Sequence, residues 1–237
     1  MNWIQVLPQM LKERLIVRDK IKDENYFNNF ITRDILRKEK YSAMRQRIIE
    51  KRGKDDEVVS EITHDLFRIS LHILTASYSM GKPVKDMHNL FPQLCDWFLQ
   101  IKKCSYSNAI QAVSLCILFD YDDYYRKIKE KTIASNLVDN FMKFLFQDTS
   151  LVTSCKGFPE YNKIANIADA TDKTVVVKDY LSSWYSDNKD SYWYNSHDSK
   201  NDTYFGYWCF ESAAVVKILN LNPSDFSNND YFPCDLL

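Results

Sequence analysis

At 237 residues and 45% hydrophobic side chains, the chain can form one large domain or two modest ones and bury a sizeable core. A net charge of −1 excludes the chain as a whole as an electrostatic partner for nucleic acid. With 4 Gly, 6 Pro and no Asn-Gly or Asp-Gly pair, the turn chemistry of a hairpin-rich sheet fold is missing too.

The charge is unevenly spread. Residues 1–60 carry 14 Lys/Arg against 10 Asp/Glu, whereas residues 179–237 carry 3 against 9. An acidic C-terminal quarter repels DNA and attracts a basic protein, although a solvated acidic face has the same composition. The opening MNWIQVLPQMLKERL has no basic segment followed by a continuous apolar one, and no apolar stretch of about 18 residues occurs elsewhere, so a cytosolic address is expected. The six cysteines show no C-x-x-C and no zinc-type spacing; they read as reduced, with Cys116 and Cys209 inside apolar runs.

In chain order, Asp23 to Arg52 reads as one long charged helix, or two in line, with a narrow stripe of Phe27, Phe30, Ile31, Ile35, Leu36 and Tyr41. Gly53 ends it. Glu57 to Met80 is a second helix whose apolar side carries Val58, Ile62, Leu66, Ile69, Ile73 and Leu74, stopped at Gly81. Pro83 opens a region to about Lys103, interrupted or kinked at Pro92. Ser105 or Ser107 caps the next helix, Asp122 to about Lys131 forms a short one, and Ser135 caps another through Phe146. Gln147 to Phe158 is a loop. Pro159 to Asp169 and Asp172 to Ser186 are further helices, the latter despite the β-favouring run Thr174 to Val177. From Tyr204 to Leu219, YFGYWCFESAAVVKIL has no polar side on a helical wheel and is too short and too polar for a membrane span, which makes it a buried central helix.

These readings add up to an all-α, closely packed, non-repetitive protein. It has an N-terminal long-helix region, 1–80, and a C-terminal helical domain, 81–237, joined without a flexible linker.

Three constellations carry candidate chemistry. Asp187, Asp190, His197, Asp198 and Asp202 lie among Trp184, Trp193 and Tyr194; carboxylates with a histidine suit a divalent metal or acid–base work, but Asp/Asn/Ser richness is also what a loop requires. Glu61-x-x-His64 has half of a helical di-iron motif, and without a second copy it reads as a surface ladder Glu61–His64–Arg68. Glu211, alone in the apolar run, is a hydrogen-bond hub fed by Tyr204, Tyr207, Trp208 and Ser212, or else a catalytic acid. P-loop, G-x-G-x-x-G, G-x-S-x-G and H-E-x-x-H motifs are absent. No cofactor and no metal is called for. Composition and spacing alone give a soluble helical protein with an acidic C-terminal quarter, and no function.

A family resemblance goes further. Trp184–Tyr185, Tyr192–Trp193–Tyr194, Ser196–His197, Tyr204, Gly206–Tyr207–Trp208, Phe210–Glu211, Ala213–Ala214 and the closing Tyr231–Phe232–Pro233 with Asp235–Leu236 resemble the C-terminal domain of the PoNi family. VRDKIKDENYFNNFI, Val17 to Ile31, is similar to the family's N-terminal domain; Cys234 stands where a second tyrosine is expected. The resemblance implies a helical cytosolic immunity protein without turnover, made alongside a DNase toxin. Such toxins look like metal-dependent nucleases and are delivered by a contact-dependent system such as a type VI apparatus. The implied partner is that toxin, which the immunity protein would occlude; nucleic acid and membrane are not partners, and self-association is left open. The expected contact surface is acidic, Asp187, Asp190, Asp198 and Asp202 first and Asp120, Asp122 and Asp123 second, while Trp184, Tyr185, Trp193, His197, Tyr204, Gly206, Tyr207, Trp208, Phe210 and Glu211 build the scaffold. A helical interaction scaffold without a toxin is the alternative. An enzyme using the Asp/His loop comes third and requires His197 and two aspartates to converge in one pocket.

Overall fold

Five of the nine α-helices among the described residues start at a capping side chain. The computed structural model describes residues 16–237, so the reading of MNWIQVLPQMLKERL lies outside the described residues. Asp23 accepts the Tyr26 N–H at 2.8 Å and starts α1, Glu24–Arg52; Gly53, at φ 85°, ends it. Asp56 starts α2, Glu57–Ser79. After a one-turn α3, Val84–Met87, comes α4, Phe91–Gln100, with Pro92 in its first turn, so this proline opens a helix and kinks none. Ser105 caps α5, Tyr106–Leu118, and α6 spans Asp122–Ala134. Ser135 closes α6 and caps nothing downstream, because the left-handed Asn136 (φ 55°) breaks the chain direction; Asp139 caps α7, Asn140–Leu145, instead. The stretch expected as a helix from Pro159 to Asp169 holds only two 3₁₀ turns, Pro159–Tyr161 and Ile167–Asp169. Asp172 caps α8, Lys173–Asp187, which takes in the Val-rich run as expected.

The molecule is all-α, with no strand among the described residues. α1 packs along α2, α2 on α4, and α5 on both α6 and α9, Phe210–Ile218. Only the first half of the expected α1 stripe is buried, as Phe27, Phe30 and Ile31, joined by the polar Asp34; Ile35 and Leu36 face outward because α2 covers α1 along a narrower seam than the spacing suggests. From Leu71 to Met80 every residue of the α2 end is buried, and all of Phe210 to Val216 in α9 is buried too. These two segments form the centre of the core.

The expected helix from Tyr204 to Leu219 is half right. Its second part is α9, whereas Tyr204 to Cys209 is irregular chain crossing the interior. Gly206, at φ 108°, lies outside helical space, and a Cβ there would meet Ser79 Oγ at 2.0 Å. No helix among the described residues is long and apolar enough to cross a membrane.

Candidate functional site

A buried non-helical segment must satisfy its backbone elsewhere, and Tyr204 to Cys209 does so with side chains from the other end of the chain. The Tyr26 hydroxyl donates to the Tyr204 carbonyl at 3.0 Å and accepts the Tyr204 N–H at 3.1 Å. Ser79 Oγ lies 3.0 Å from the Phe205 carbonyl and accepts the Trp208 indole N–H at 2.8 Å. The Cys209 N–H reaches the Tyr231 carbonyl at 2.8 Å. Tyr204's own hydroxyl donates to Asp19.

Around this segment the aromatics form one layer. Trp184 stacks on Trp193 with ring centres 5.2 Å apart, and Tyr185 stacks on Tyr194 at 4.5 Å and on Tyr231 at 5.4 Å. Tyr207 packs against Tyr185 and Trp193, and its hydroxyl sits 2.8 Å from His197 Nδ1 and accepts the His197 N–H. His197 is thus bound into the aromatic layer, and its Nε2 stands 3.5 Å from Asp198. Among the described residues no three His, Cys, Asp or Glu side chains gather as a metal site would require, and the described clefts do not bring His197 together with two aspartates.

Glu211 is a hub, as expected, but with other donors. It is 1% exposed, and its Oε1 accepts the Tyr180 hydroxyl at 2.8 Å and the Trp184 indole N–H at 2.7 Å, both from α8. Tyr204, Tyr207 and Trp208 are engaged elsewhere, and the Ser212 hydroxyl donates to the Cys209 carbonyl. Oε2 has no partner. Burial therefore pushes the Glu211 carboxyl upward, only partly countered by these donors. The Glu61–His64–Arg68 ladder does not form: His64 pairs with Asn108 at 2.9 Å and Arg68 lies over the Tyr192 ring at 4.4 Å.

The seven aspartates of the expected contact surface are all exposed, yet their surroundings differ. Asp187 lies 3.5 Å from Lys163, Asp120 2.9 Å from Lys217, and Asp123 is paired with Arg126. Asp202 accepts from Arg33 with its backbone carbonyl at 2.9 Å and is exposed. Asp190 and Asp122 form no ion pair among the described residues.

Beside this surface lies a cleft that the sequence did not reveal. Arg33 and Arg37 of α1 face Arg68 and His72 of α2, and Tyr192, Trp193 and Phe205 close the wall; the cavity measures about 210 Å³. His72 stacks on Phe205 at 4.0 Å and pairs with the Tyr192 hydroxyl at 2.8 Å. Burial, then the fields of Arg68, Arg37 and Arg33, push its imidazole down to about 3 and keep it neutral. Each pair is spaced i, i+4 on its own helix, a pattern that reads as a mixed solvated face until α1 and α2 are laid together.

No curated protein and no solved structure matches the chain. Two family models do, and they match in order: the N-terminal domain of the PoNe immunity proteins (PoNi) over residues 18–129 and the C-terminal domain over residues 133–236. The second match contains the whole aromatic layer and Glu211; the first contains Tyr26, Ser79 and the arginines opposite. With both domains present from residue 18 to residue 236, the chain belongs to the PoNi family, the immunity proteins to PoNe nuclease toxins.

Proposed function

We propose that this chain neutralises a cognate DNase toxin by binding it in the bacterial cytoplasm and covering its active site, with no turnover of its own. The match of both family domains along residues 18–236 carries this reading. Charge supplies the physical route. A nuclease cleft is basic because it holds phosphates, and residues 179–237, with 3 Lys/Arg against 9 Asp/Glu, present the opposite sign. Within the expected surface, the aspartates without a lysine or arginine partner, Asp190, Asp198, Asp202 and Asp122, are the ones able to steer association; Asp187, Asp120 and Asp123 are largely neutralised where they stand. Tight occlusion needs an interface of about 1,600 Å² with a few buried anchors. The aromatic layer and Glu211 are assigned to holding that surface in shape.

The test is co-expression with the toxin gene beside this one. The expected result is cell survival and co-purification of a stable complex, with charge reversal at Asp190, Asp198 and Asp202 slowing association on the order of 10-fold at low salt and less at high salt. Cell death despite full expression of the chain would overturn the reading.

A further inference from the structure

The cleft between α1 and α2 has the wrong sign for the surface beside it. Three guanidinium groups converge there, Arg33, Arg37 and Arg68, and Asp34 is the one carboxylate among the lining residues. Asp34 is already engaged by Arg33 Nε at 3.2 Å and is 1% exposed. Arg37 makes no ion pair among the described residues and rests on the Tyr41 ring at 5.3 Å. Arg68 comes no closer than 4.0 Å to Asp65, and its Nε is shielded from solvent without a hydrogen-bond partner. A guanidinium has five donors in a fixed fork, and a shielded one left unpaired is costly. These donors point to an acceptor that comes from outside the chain.

Size and surroundings narrow the class of that acceptor. At about 210 Å³ the cavity is smaller than the ~300–1,000 Å³ typical of small-molecule and cofactor sites and suits a single side chain. Past Arg68 and Tyr192 it adjoins a smaller recess of about 60 Å³, where the neutral Ser107, Asn108 and Gln111 stand beside a mainly aromatic wall. Phosphates along a nucleic acid would have to pass the exposed carboxylates of Asp202, Asp198 and Asp190 near the same loop. A carboxylate on a protein does not track a charged backbone and meets this obstacle only once.

We propose that the Arg33–Arg37–Arg68 cleft is the receptor for a single aspartate or glutamate on an extended, otherwise uncharged segment of the toxin, held by forked guanidinium hydrogen bonds against Tyr192. This rests on the immunity reading and adds a second, oppositely charged contact to it. The acidic surface would steer the toxin's basic cleft, while the arginine cleft fixes register, because a toxin lacking that carboxylate leaves the shielded Arg68 Nε without an acceptor.

The experiment measures binding of the purified full chain to the nuclease-dead toxin encoded beside it, by calorimetry, for wild type, R37E, R37Q, R68Q and D190N, with a 20-base-pair DNA duplex as a parallel probe. Arg37 is exposed and its side chain anchors no other element, so R37E and R37Q should retain the wild-type circular dichroism and Tm. Support is a toxin affinity lowered about 30-fold or more by R37E and R68Q, an intermediate loss for R37Q, a smaller one for D190N, and no binding of the duplex. If the wild type binds toxin and R37E and R37Q bind within about threefold of it, the cleft is not the anchor and the immunity reading stands alone. If the wild type binds the duplex and R37E abolishes that, the cleft holds phosphate and the proposal falls. If the wild type binds no toxin, the immunity reading fails and takes the proposal with it.

Discussion

Two segments packed into the core, the end of α2 and the chain from Tyr204 to Cys209, in which Trp208 alone is half-buried, are built on opposite plans. α2 satisfies its backbone in its own ladder except at its end, where the Ser79 carbonyl accepts the Arg18 and Asp19 N–H groups. The place of its body therefore depends on apolar fit: Leu66, Phe67, Ile69, Ile73 and Leu74 are buried along it. Tyr204 to Cys209 has no ladder of its own and borrows the Tyr26 hydroxyl, the Ser79 hydroxyl and the Tyr231 carbonyl. The first can lose a methyl group and settle. The second depends on a few atoms at fixed distances, so its failures should be polar and steric and should not scale with volume.

Gly206→Ala breaks that comparison most strongly. The added Cβ meets Ser79 Oγ at 2.0 Å and Trp208 Nε1 at 2.8 Å, at a φ of 108° that side-chain-bearing residues rarely adopt. One methyl group here should destabilise by about 3–5 kcal/mol, as much as the whole side-chain truncation Leu66→Ala in α2, about 2–5 kcal/mol. Urea unfolding of both variants checks it. A G206A protein as stable as wild type would mean that the segment does not cross the core as described. Adding Ser79→Ala to G206A should recover only part of the loss, since the backbone strain and the Trp208 contact remain.

Glu211 comes next, because it closes the same region from the α9 side. Glu211→Ala leaves the buried Tyr180 hydroxyl and Trp184 indole N–H without their acceptor, at about 2–4 kcal/mol. The pH dependence has a definite sign. The unfolded chain releases this proton near the ordinary value of 4.5, whereas burial raises the folded value. The native state therefore holds more protons across that interval, and stability falls as pH rises through it. His72 acts oppositely: depressed to about 3 from 6.5, it makes stability rise with pH between those values. The difference between wild type and Glu211→Gln isolates the carboxyl, since His72 is common to both. That difference should grow in favour of Gln as pH rises above 4.5, and a flat difference would mean that Glu211 is not held protonated.

How far the sequence reached follows the same division. Helices with a local signal were legible nearly to the residue: Asp23, Asp56, Ser105 and Asp172 each hydrogen-bond to a first-turn amide, and Gly53 stops α1. The non-helical half of YFGYWCFESAAVVKIL was not, because an all-apolar run reads alike for a buried helix and a buried extended chain. What decides it is a pair of hydroxyls, 178 residues away at Tyr26 and 126 away at Ser79. Glu211 was legible as a hub from its isolation, but its donors lie on another helix. The arginine cleft was hidden for the same reason, since Arg33 and Arg37 meet Arg68 and His72 only once α1 lies on α2.

Ser79→Ala alone tests the borrowed bonds without adding bulk. It removes the acceptor of Trp208 Nε1 and the hydroxyl proton that the Phe205 and Thr75 carbonyls share at 3.0 Å each, for about 2 kcal/mol, and leaves the backbone ladder of α2 intact because Ser79 is its last residue. Hydrogen exchange should therefore show the loss in residues 204–209 before any in α2.

Tyr26→Phe has the smallest expected effect and separates the two plans most cleanly. It keeps the ring, which packs on Phe27 at 5.4 Å and on Tyr204 at 6.4 Å, and deletes one oxygen. That oxygen bonds both backbone groups of Tyr204, as a neighbouring strand would, from a helix at the other end of the chain. Because the site is only partly buried, water can take over one of the two bonds, so the cost should be about 1 kcal/mol. Its distribution matters more than its size. If the segment is held from α1, the Tyr204 amide should lose exchange protection while amides in the middle of α2 keep theirs. Equal loss in both would mean that the crossing chain and α2 open as one unit, and that the contrast between them lies in how each is built and not in how each comes apart.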